Sequence, residues 1–442
     1  MGNESSGTAI RYVRKRSLSP TQTNREALRL QSKAAGLRQH AADLEAKAVR
    51  LLSPSQSREA ARRISQRTGK VAVFLGAGAS KTFGWPLTNE LLPIIIDGII
   101  EEDLFEDVRI NTEKHNAADR ELLTEALLAL CPGLPFTRTS LKKTRHRLPL
   151  VTSLLSMLDY SLSSGQALVS GLTLDQIKSA RALLERAIYE TIEHEEIPTD
   201  EYYWPSREPN GITQQLVTWL DNLRPTSSDV GVITSNYDVA IEKAWGFKRD
   251  DMHDVDDLSL SLDFGFDWIW PSHYYPETII KRPATALRRL FKLHGSTNWL
   301  RCGLCDRVYI NPKVDIAVYA YDRKATPNNG CHCGHYKLEV QIVSPSFVRD
   351  MRAPNLISVW QNALNWLRRA DDWIIIGYSF PDEDLNIRSL FTRALAARQT
   401  WPHVTAIQFG DNKSIRTRYE AFFPRRRLTF LMNGLQDFLN RV

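Results

Sequence analysis

The feature that most constrains the fold is a five-residue apolar run, Val71–Leu75, which leads directly into Gly-Ala-Gly-Ala-Ser at residues 76–80. An apolar run this short predicts a strand buried on both faces, as the strands of parallel sheets are. The glycines let the backbone turn sharply and approach a phosphate group closely. Amide N–H groups at the start of a following helix would bind the negative charge. A lone GxG also suits any tight strand-to-helix turn, so the segment alone indicates a phosphate ligand only weakly.

The same combination of a short apolar run and a polar end recurs four times farther along the chain. The runs predicted as strands are residues 230–234, 291–293, 373–376 and 404–409. Their polar ends are Thr234-Ser235-Asn236-Tyr237-Asp238, His294-Gly295-Ser296, Gly377-Tyr378-Ser379 and Gly410-Asp411-Asn412. Open α/β sheets place ligand contacts at the carboxyl ends of their strands. Core packing does not require this repetition, so we expect the ends to line one shared crevice.

A long stretch between the first two predicted strands follows a different pattern, with apolar residues at helical spacing. The predicted helices are residues 87–101, 117–131, 148–163, 173–194 and 212–223. The stretch from about 87 to 228 is therefore predicted to be a helical module inserted into the α/β domain (residues 70–442), long enough to bury a core of its own.

The N-terminal arm, residues 1–69, carries the excess positive charge. Residues 1–70 hold 15 basic and 5 acidic residues, so the rest of the chain has a net charge of −4 against +6 overall. Residues 1–22 are predicted to be disordered, 23–52 to form a loosely amphipathic helix, and 55–67 a second short helix. The arm is either a solvated basic segment packed on the body or an element for assembly or partner docking. Nucleic-acid contact is possible only here, from charge alone.

Composition narrows the class of protein and its compartment. Hydrophobic residues make up 43% of the chain, enough for a large core. No run approaches the roughly 18 apolar residues that a membrane span needs, and no apolar signal segment begins the chain. Five cysteines do not suggest a disulfide scaffold. We therefore expect a cytoplasmic protein without membrane contact.

Four cysteines form two close pairs, Cys302 with Cys305 and Cys331 with Cys333. Two such pairs on two turns can converge as a tetrahedral zinc site, and His332 or His335 could replace one thiolate. A closed site with four protein ligands leaves no position for water, so the predicted zinc is structural. The alternative is a set of reduced, unpaired thiols in a loop.

The ordered motifs together resemble the sirtuin family. They are GAGAS at 76–80, TSNYD at 234–238, LHGS at 293–296, the paired cysteines, and GYS at 377–379. The resemblance covers about residues 70–412 and leaves the arm and most of the helical module unexplained. Residues 84–89 read Gly-Trp-Pro-Leu-Thr-Asn, where protein-deacylating sirtuins have a segment of the Gly-Ile-Pro-Asp-Phe-Arg type. The motifs look more like those of the NAD-cleaving, sirtuin-like effectors of bacterial anti-phage systems.

The resemblance implies a Rossmann-like parallel sheet with the inserted helical module and a small, zinc-ribbon-like cysteine subdomain at about 300–337. It implies NAD+ as substrate, with His294 as the base that accepts a proton from the ribose hydroxyls. An imidazole of pKa roughly 6.5 suits that role at neutral pH. Asn236 would hold a water or a ribose hydroxyl, and Asp238 would accept the N–H of the nicotinamide carboxamide.

The remaining predicted cofactor-binding residues lie in the polar ends and the first loop. They are Gly76, Ala77, Gly78, Ala79, Ser80, Thr234, Ser235, Gly377, Tyr378, Ser379, Asp411 and Asn412. Purely structural roles compete with some assignments. Asn236 could cap the helix that follows it, and Asp382 and Asp384 are expected to be helix caps.

The favoured function is an NAD+ glycohydrolase that yields nicotinamide and ADP-ribose as the toxic effector of an anti-phage system. An unregulated NADase would harm its host, so we expect a homo-oligomer or a co-encoded protein partner to control it. The alternatives are an NAD-dependent protein deacylase and a non-catalytic module that senses NAD or ADP-ribose.

Overall fold

In the computed structural model, the apolar runs form one parallel sheet of seven strands. The larger sheet contains β1 (Val71–Leu75), β2 (Val230–Thr234), β3 (Leu262–Asp263), β6 (Arg288–Lys292), β10 (Asp372–Ile376), β11 (His403–Ile407) and β12 (Leu428–Leu431). The order is β12-β11-β10-β1-β2-β6-β3, and every pair is parallel. The α/β, Rossmann-like fold class is therefore confirmed.

The structure describes residues 54–105, 113–167, 171–193, 210–225, 229–245, 262–270, 278–283, 288–310, 331–335, 338–343, 353–382, 384–410 and 412–442. These belong to one compact unit, Ser53–Val442. The predictions made for residues 1–53 of the arm and for Asp411 lie outside the described residues. None of the described helices combines the length and the apolar character that a membrane span requires.

The helices account for the covered faces of the sheet. They are α1 (Pro54–Ser65), α2 (Ala77–Phe83), α3 (Thr88–Ile100), α4 (Glu113–Leu130), α5 (Arg138–Thr144), α6 (Val151–Ser164), α7 (Leu174–Glu193), α8 (Gly211–Asn222), α9 (Ala240–Ala244), α10 (Pro354–Arg369), α11 (Leu385–Ala396), α12 (Lys413–Phe422) and α13 (Gly434–Leu439). Strands β1, β2 and β10 are buried along their whole length, as a sheet covered on both faces requires.

Seven of these helices, α2 to α8, lie between β1 and β2 in the chain, and the last six, α3 to α8, fall in the stretch predicted as the helical module. Helix α5 was not predicted, because Leu141 is its only buried residue and so it lacks an apolar stripe. The limits of the helical module and of the other domains stay predictions.

Strand β6 begins three residues before the predicted run, at Arg288. Charged residues can open this buried strand because their guanidinium groups find partners. Arg288 pairs with Asp221 at 2.7 Å, and Arg289 stacks on the ring of Trp366 at 4.5 Å. Sequence pattern alone does not reveal such partners.

A smaller sheet contains the cysteine turns. Its strands are β4 (Trp268–Trp270), β5 (Thr278–Ile280), β7 (Gly295–Cys302), β8 (Val308–Ile310) and β9 (Leu338–Ile342), in the order β5-β4-β8-β7-β9. Strand β6 of the large sheet leads into β7 through Leu293 and His294 alone. His294 therefore lies at the junction of the two sheets.

The sheet changes its direction of winding at β1, which pairs with β2 on one side and with β10 on the other. Such a topological switch point leaves a crevice outside the carboxyl ends of the strands. The loops after β1 and β10 meet there, backbone to backbone. The N–H of Gly76 donates to the carbonyl of Ile376 at 2.9 Å, and that of Gly78 to Gly377 at 2.8 Å.

Only glycine fits at Gly377. Its φ is +63°, and a Cβ atom there would lie 2.2 Å from the backbone nitrogen of Ala79. Likewise, a Cβ on Gly76 would lie 2.7 Å from the Gly377 carbonyl oxygen. The glycines of the two motifs are therefore required by contact between the loops themselves.

We predict that Gly377→Ala lowers the free energy of unfolding by about 3 kcal/mol or more, because it adds a steric clash to backbone strain. Gly84 is a matched control, since its φ is +106° and an added Cβ would meet nothing within 4 Å. Gly84→Ala should therefore cost only the strain, about 1–2 kcal/mol. Urea denaturation measures both values, and equal losses would contradict the assignment of the clash.

Candidate active site

The loop at residues 76–80 stands at the switch point, with its backbone already engaged. Besides the two bonds to the β10 loop, the N–H of Ala79 donates to the Gly76 carbonyl at 2.9 Å. The N–H groups of Gly76, Gly78 and Ala79 are thus used within the protein. The structure gives this loop a packing role that the sequence interpretation had not included.

Ser80 connects this loop to the polar end of β2. Its hydroxyl donates to the Asp238 carboxylate at 2.5 Å and accepts from the Asn236 amide nitrogen at 2.7 Å. The same amide nitrogen donates to the Gly76 carbonyl at 2.9 Å. Asp238 also accepts the backbone N–H of Ala240 at 3.2 Å. The structure therefore brings together Ser80, Asn236 and Asp238, three residues predicted for the site.

Thr234 and Ser235 shape the turn that presents Asn236. The Thr234 hydroxyl donates to the Leu75 carbonyl at 3.1 Å and accepts the N–H of Asn236 at 3.0 Å. The Ser235 N–H donates to the same Leu75 carbonyl at 3.3 Å. These bonds tie the end of β2 to the end of β1.

His294 lies at the end of β6, beside this turn, and is 5% exposed. Its Nδ1 lies 3.1 Å from the Ser235 carbonyl oxygen. A carbonyl oxygen only accepts, so this contact places the ring hydrogen on Nδ1 and makes Nε2 the basic nitrogen of the neutral ring. The rings of Tyr237 and Trp360 lie near the imidazole, with centroids 6.1 and 6.2 Å from its own.

Gly295 explains why the chain can turn at this histidine. Its φ is +76°, and a Cβ would lie 1.9 Å from the Gln341 carbonyl oxygen of β9. The His294 carbonyl in turn accepts the N–H of Val343 at 2.8 Å. The HG pair of the LHGS motif thus joins the two sheets and fixes the backbone of His294.

A buried ion pair lies beneath the β2 end. Lys292 and Glu242 are each 1% exposed at the side chain, and the ammonium lies 2.8 Å from the carboxylate. Lys292 also donates to the Asp238 carbonyl at 2.6 Å. Burial raises the pKa of Glu242, while the ammonium of Lys292 opposes that rise. The sequence reasoning missed this pair, because a lysine at the end of a short apolar run carries no signal of its partner.

The predicted site residues that follow β10 and β11 differ in how far they are buried. The Tyr378 ring packs in the core against Phe74 with centroids 5.0 Å apart, and its hydroxyl donates to Asp384 at 2.9 Å. Ser379 follows it and is half-buried. Asn412 is exposed and caps α12, its side-chain oxygen accepting the N–H of Ser414 at 3.0 Å. Of the predicted set, Tyr378 and Asn412 therefore have evident structural roles.

The two aspartates predicted as helix caps, Asp382 and Asp384, have different surroundings. Asp384 stands immediately before α11, but its side chain makes no capping hydrogen bond there. Asp382 pairs with Arg388 at 2.9 Å. The sequence pattern identified the helix start correctly, and the carboxylates serve other partners.

One residue at this edge was not predicted. Phe409, two residues after the end of β11, is 84% exposed and lines a cleft of about 340 Å³ together with Thr82 and Asn433. An isolated phenylalanine at the end of an apolar run is indistinguishable from a core residue in sequence, and only the fold shows its exposure.

The four cysteines of the smaller sheet converge as predicted from their spacing. All Sγ atoms lie within 4.8 Å of one another, with 3.7 Å between Cys302 and Cys333 and 3.5 Å between Cys305 and Cys331. Four thiolates at about 2.3 Å from one ion in a tetrahedron lie roughly 3.8 Å apart. The cluster could therefore hold a metal ion, and within the described residues it comprises cysteines alone.

The surroundings of the cluster favour a thiolate at Cys331. Burial raises the pKa of this thiol, but hydrogen bonds from the Cys333 backbone N–H and the Tyr309 hydroxyl outweigh that effect and lower the pKa to about 7. The Tyr309 hydroxyl lies 3.2 Å from the sulfur. Metals bind thiolates and not thiols, so this environment suits a ligand.

We predict that Lys292→Met lowers the free energy of unfolding by about 3–5 kcal/mol near pH 8, because Glu242 is left buried without its partner. The double variant Lys292→Met/Glu242→Leu should recover most of this loss. Without Lys292 the folded state binds a proton on Glu242 more tightly than the unfolded state. The deficit of the single variant should therefore shrink as pH falls toward the unfolded pKa of roughly 4.3. Urea denaturation at several pH values measures this, and a pH-independent deficit would contradict it.

Part of the chain matches the model of one known protein family. Residues 230–425 match the family model of the SIR2-like domain. No curated protein matches the chain.

Among solved structures, the chain is similar to "Structural Basis for the Mechanism and Regulation of Sir2 Enzymes", with 14% identity over 87% of this chain and 95% of that chain and a TM-score of 0.36. It is similar to "The Structural basis for Sirtuin Substrate affinity", with 12% identity over 86% and 94% and a TM-score of 0.38. It is also similar to "Sir2-p53 peptide-NAD+", with 13% identity over 86% and 94% and a TM-score of 0.37.

The family model confirms the resemblance drawn from the motifs at the level of the domain, over residues 230–425, while the closer likeness to anti-phage effectors stays a prediction. Residues 230–425, a little under half of the chain, are similar to the SIR2-like domain.

Proposed function

We propose that this protein cleaves NAD+ to nicotinamide and ADP-ribose, using His294 as the base. A SIR2-like domain supports an NAD-related enzymatic function, and one of the similar structures holds NAD+. The observation that carries the proposal is the geometry of His294. Its Nδ1 is held by the Ser235 carbonyl at 3.1 Å, which leaves Nε2 as the basic nitrogen at the carboxyl end of a parallel sheet, where such folds bind ligands.

The reaction breaks the bond between the ribose C1′ and the nicotinamide nitrogen. The electron pair leaves with nicotinamide, a neutral leaving group, and a ribosyl cation with oxocarbenium character develops. Water adds to C1′ and loses a proton, which His294 accepts at Nε2. The balance is NAD+ plus water to nicotinamide, ADP-ribose and a proton.

Asn236 is proposed to orient that water or a ribose hydroxyl. Its amide nitrogen donates to Gly76 and Ser80, so the amide oxygen is the atom that it offers to a ligand. Ser80 and Asp238 hold the amide in this orientation. The contact between Asp238 and the nicotinamide carboxamide stays a prediction, and it would use carboxylate lone pairs beyond those that accept from Ser80 and Ala240.

The pyrophosphate is proposed to lie over the loops after β1 and β10. Three N–H groups of the first loop already donate within the protein. We therefore propose that the Ala77 N–H and the Ser379 hydroxyl donate hydrogen bonds to the phosphates. Phe409, exposed at the β11 end, offers a stacking surface for the adenine.

A regulated effector role in anti-phage defence is part of the same proposal. Unrestrained NAD+ cleavage harms the cell that makes the enzyme, so control by a homo-oligomer or by a protein partner is expected. The basic arm, with its net charge of +10 over residues 1–70, is the segment proposed to make that contact.

We predict that His294→Ala reduces NAD+ hydrolysis by about 100-fold or more, the range for loss of a general base. His146→Ala is the matched control, because His146 is exposed on the turn Arg145–Arg147, and it should retain full activity. Release of nicotinamide is measured with and without co-purifying proteins, and circular dichroism confirms that both variants fold.

Other outcomes separate the alternatives. O-acetyl-ADP-ribose formed only with an acetylated peptide would establish a deacylase instead. NAD+ binding without turnover under every condition would establish a sensing module. Equal hydrolysis by wild type and His294→Ala would remove His294 from the mechanism.

We further propose that the four-cysteine cluster holds a structural zinc ion. Four thiolates saturate a tetrahedral ion, so the site supplies folding energy and not catalysis.

Metal analysis should find about one zinc per chain in the purified protein. Cys305→Ser should lose most of it, because an alcohol is a poor zinc ligand. Cys131→Ser is the matched control, since Cys131 is a partly buried free cysteine outside the cluster, and it should keep its zinc. Zinc retained in full by Cys305→Ser would contradict the assignment.

A further inference from the structure

A second concave site lies at the opposite edge of the large sheet. Helix α1 forms one wall, and the starts of β11 and β12 form the other. His403 is the first residue of β11, and the turn Arg425–Arg427 directly precedes β12. In a parallel sheet the amino ends of the strands share one edge, so this cleft faces away from His294. Its volume is about 140 Å³.

The lining is strongly basic. Four arginines and one histidine contribute to it: Arg63, Arg67, Arg426, Arg427 and His403. Such a concentration of guanidinium groups around a small concave volume creates a positive potential that attracts anions.

The acidic groups around the cleft already have basic partners. The carboxylate of Asp372 is 2% exposed and binds both Arg67 and the buried Arg224. Asp371 pairs with Arg398 at 3.3 Å. One carboxylate shared between two guanidinium groups leaves net positive charge at this edge.

Arg63 pairs with Glu59 one turn earlier on α1, and both side chains are about 60% exposed. An exposed pair of this kind is weak and exchanges readily for a stronger anionic partner. Arg426, also exposed, pairs with no acidic side chain in the described part of the chain. Both guanidinium groups are therefore available to a ligand.

Arg427 and His403 form the floor of the cleft. A guanidinium nitrogen of Arg427 lies 2.7 Å from Nε2 of His403. Since guanidinium only donates, the imidazole accepts through Nε2 and is neutral. Burial lowers the pKa of His403, and the charges of Arg67 and Arg427 lower it further. The histidine thus orients Arg427 without supplying a competing charge.

We propose that this cleft binds a small phosphate-bearing molecule. Phosphate presents several anionic oxygens in a compact group, and planar guanidinium groups recognise such oxygens in bidentate fashion. The Thr429 side chain, which also lines the cleft, adds a hydroxyl donor. A small concave volume of about 140 Å³ suits a phosphate or pyrophosphate group better than a nucleic-acid backbone, which needs an extended basic stripe. The proposal stands independently of the NAD+ reaction.

The test is calorimetric titration of the full chain with inorganic pyrophosphate, with AMP and with a short single-stranded DNA, at low ionic strength. The double variant Arg63→Ala/Arg426→Ala removes two exposed guanidinium groups of the cleft. The control Arg62→Ala/Arg393→Ala removes the same charge from two exposed arginines outside its lining. Neither pair has a buried structural role, so thermal unfolding should be unchanged in both.

We expect wild type and control to bind pyrophosphate or AMP equally, and the cleft variant to bind at least about tenfold more weakly, as loss of two charged hydrogen-bond donors implies. Unchanged binding in the cleft variant, or no binding of either compound to wild type, would overturn the proposal. Binding of DNA alone, lost in the cleft variant, would replace it with a nucleic-acid interface.

Discussion

The backbone contact between the loops after β1 and β10 is the constraint on which the rest of the site depends. Gly76, Gly78 and Gly377 approach so closely that a Cβ atom at any of them would overlap neighbouring backbone. This contact fixes the start of α2, and with it Ser80. The Ser80 hydroxyl in turn forms hydrogen bonds with Asn236 and Asp238 and so helps to position both side chains at the end of β2. A conformational requirement at one point of the sheet thus positions polar groups across three strands.

A second junction positions the catalytic candidate. Gly295 allows the chain to pass from the large sheet into the smaller one, immediately after His294. The histidine is therefore held by both sheets, through its side chain on Ser235 and its carbonyl on Val343. The cysteine cluster lies at the far end of β7, the strand that begins at this junction. A metal ion there would stabilise the sheet that anchors the backbone of His294.

Much of this could be predicted from the sequence, because it depends on local pattern. Short apolar runs predicted the strands, and polar residues at their ends predicted the shared edge at which His294 contacts the Ser235 carbonyl beside Asn236. What could not be predicted depends on partners far apart in the chain. The requirement for glycine at position 377 is evident only when the nearby backbone of Ala79 is known. The burial of the charged Lys292 is explained only by its ion pair with Glu242. The packing of the Tyr378 ring against Phe74 and Phe380 is likewise not predictable from pattern, and its contact with the cofactor stays a prediction.

We propose that the carboxyl edge of the sheet forms one NAD+ pocket with His294 beside the nicotinamide ribose. A crystal structure of the His294→Ala variant with NAD+ tests it most directly, because the variant should bind the dinucleotide without cleaving it. We expect pyrophosphate density over the loops after β1 and β10, and the nicotinamide ribose beside position 294 and Asn236. Dinucleotide found only in the basic cleft between α1, β11 and β12 would contradict it.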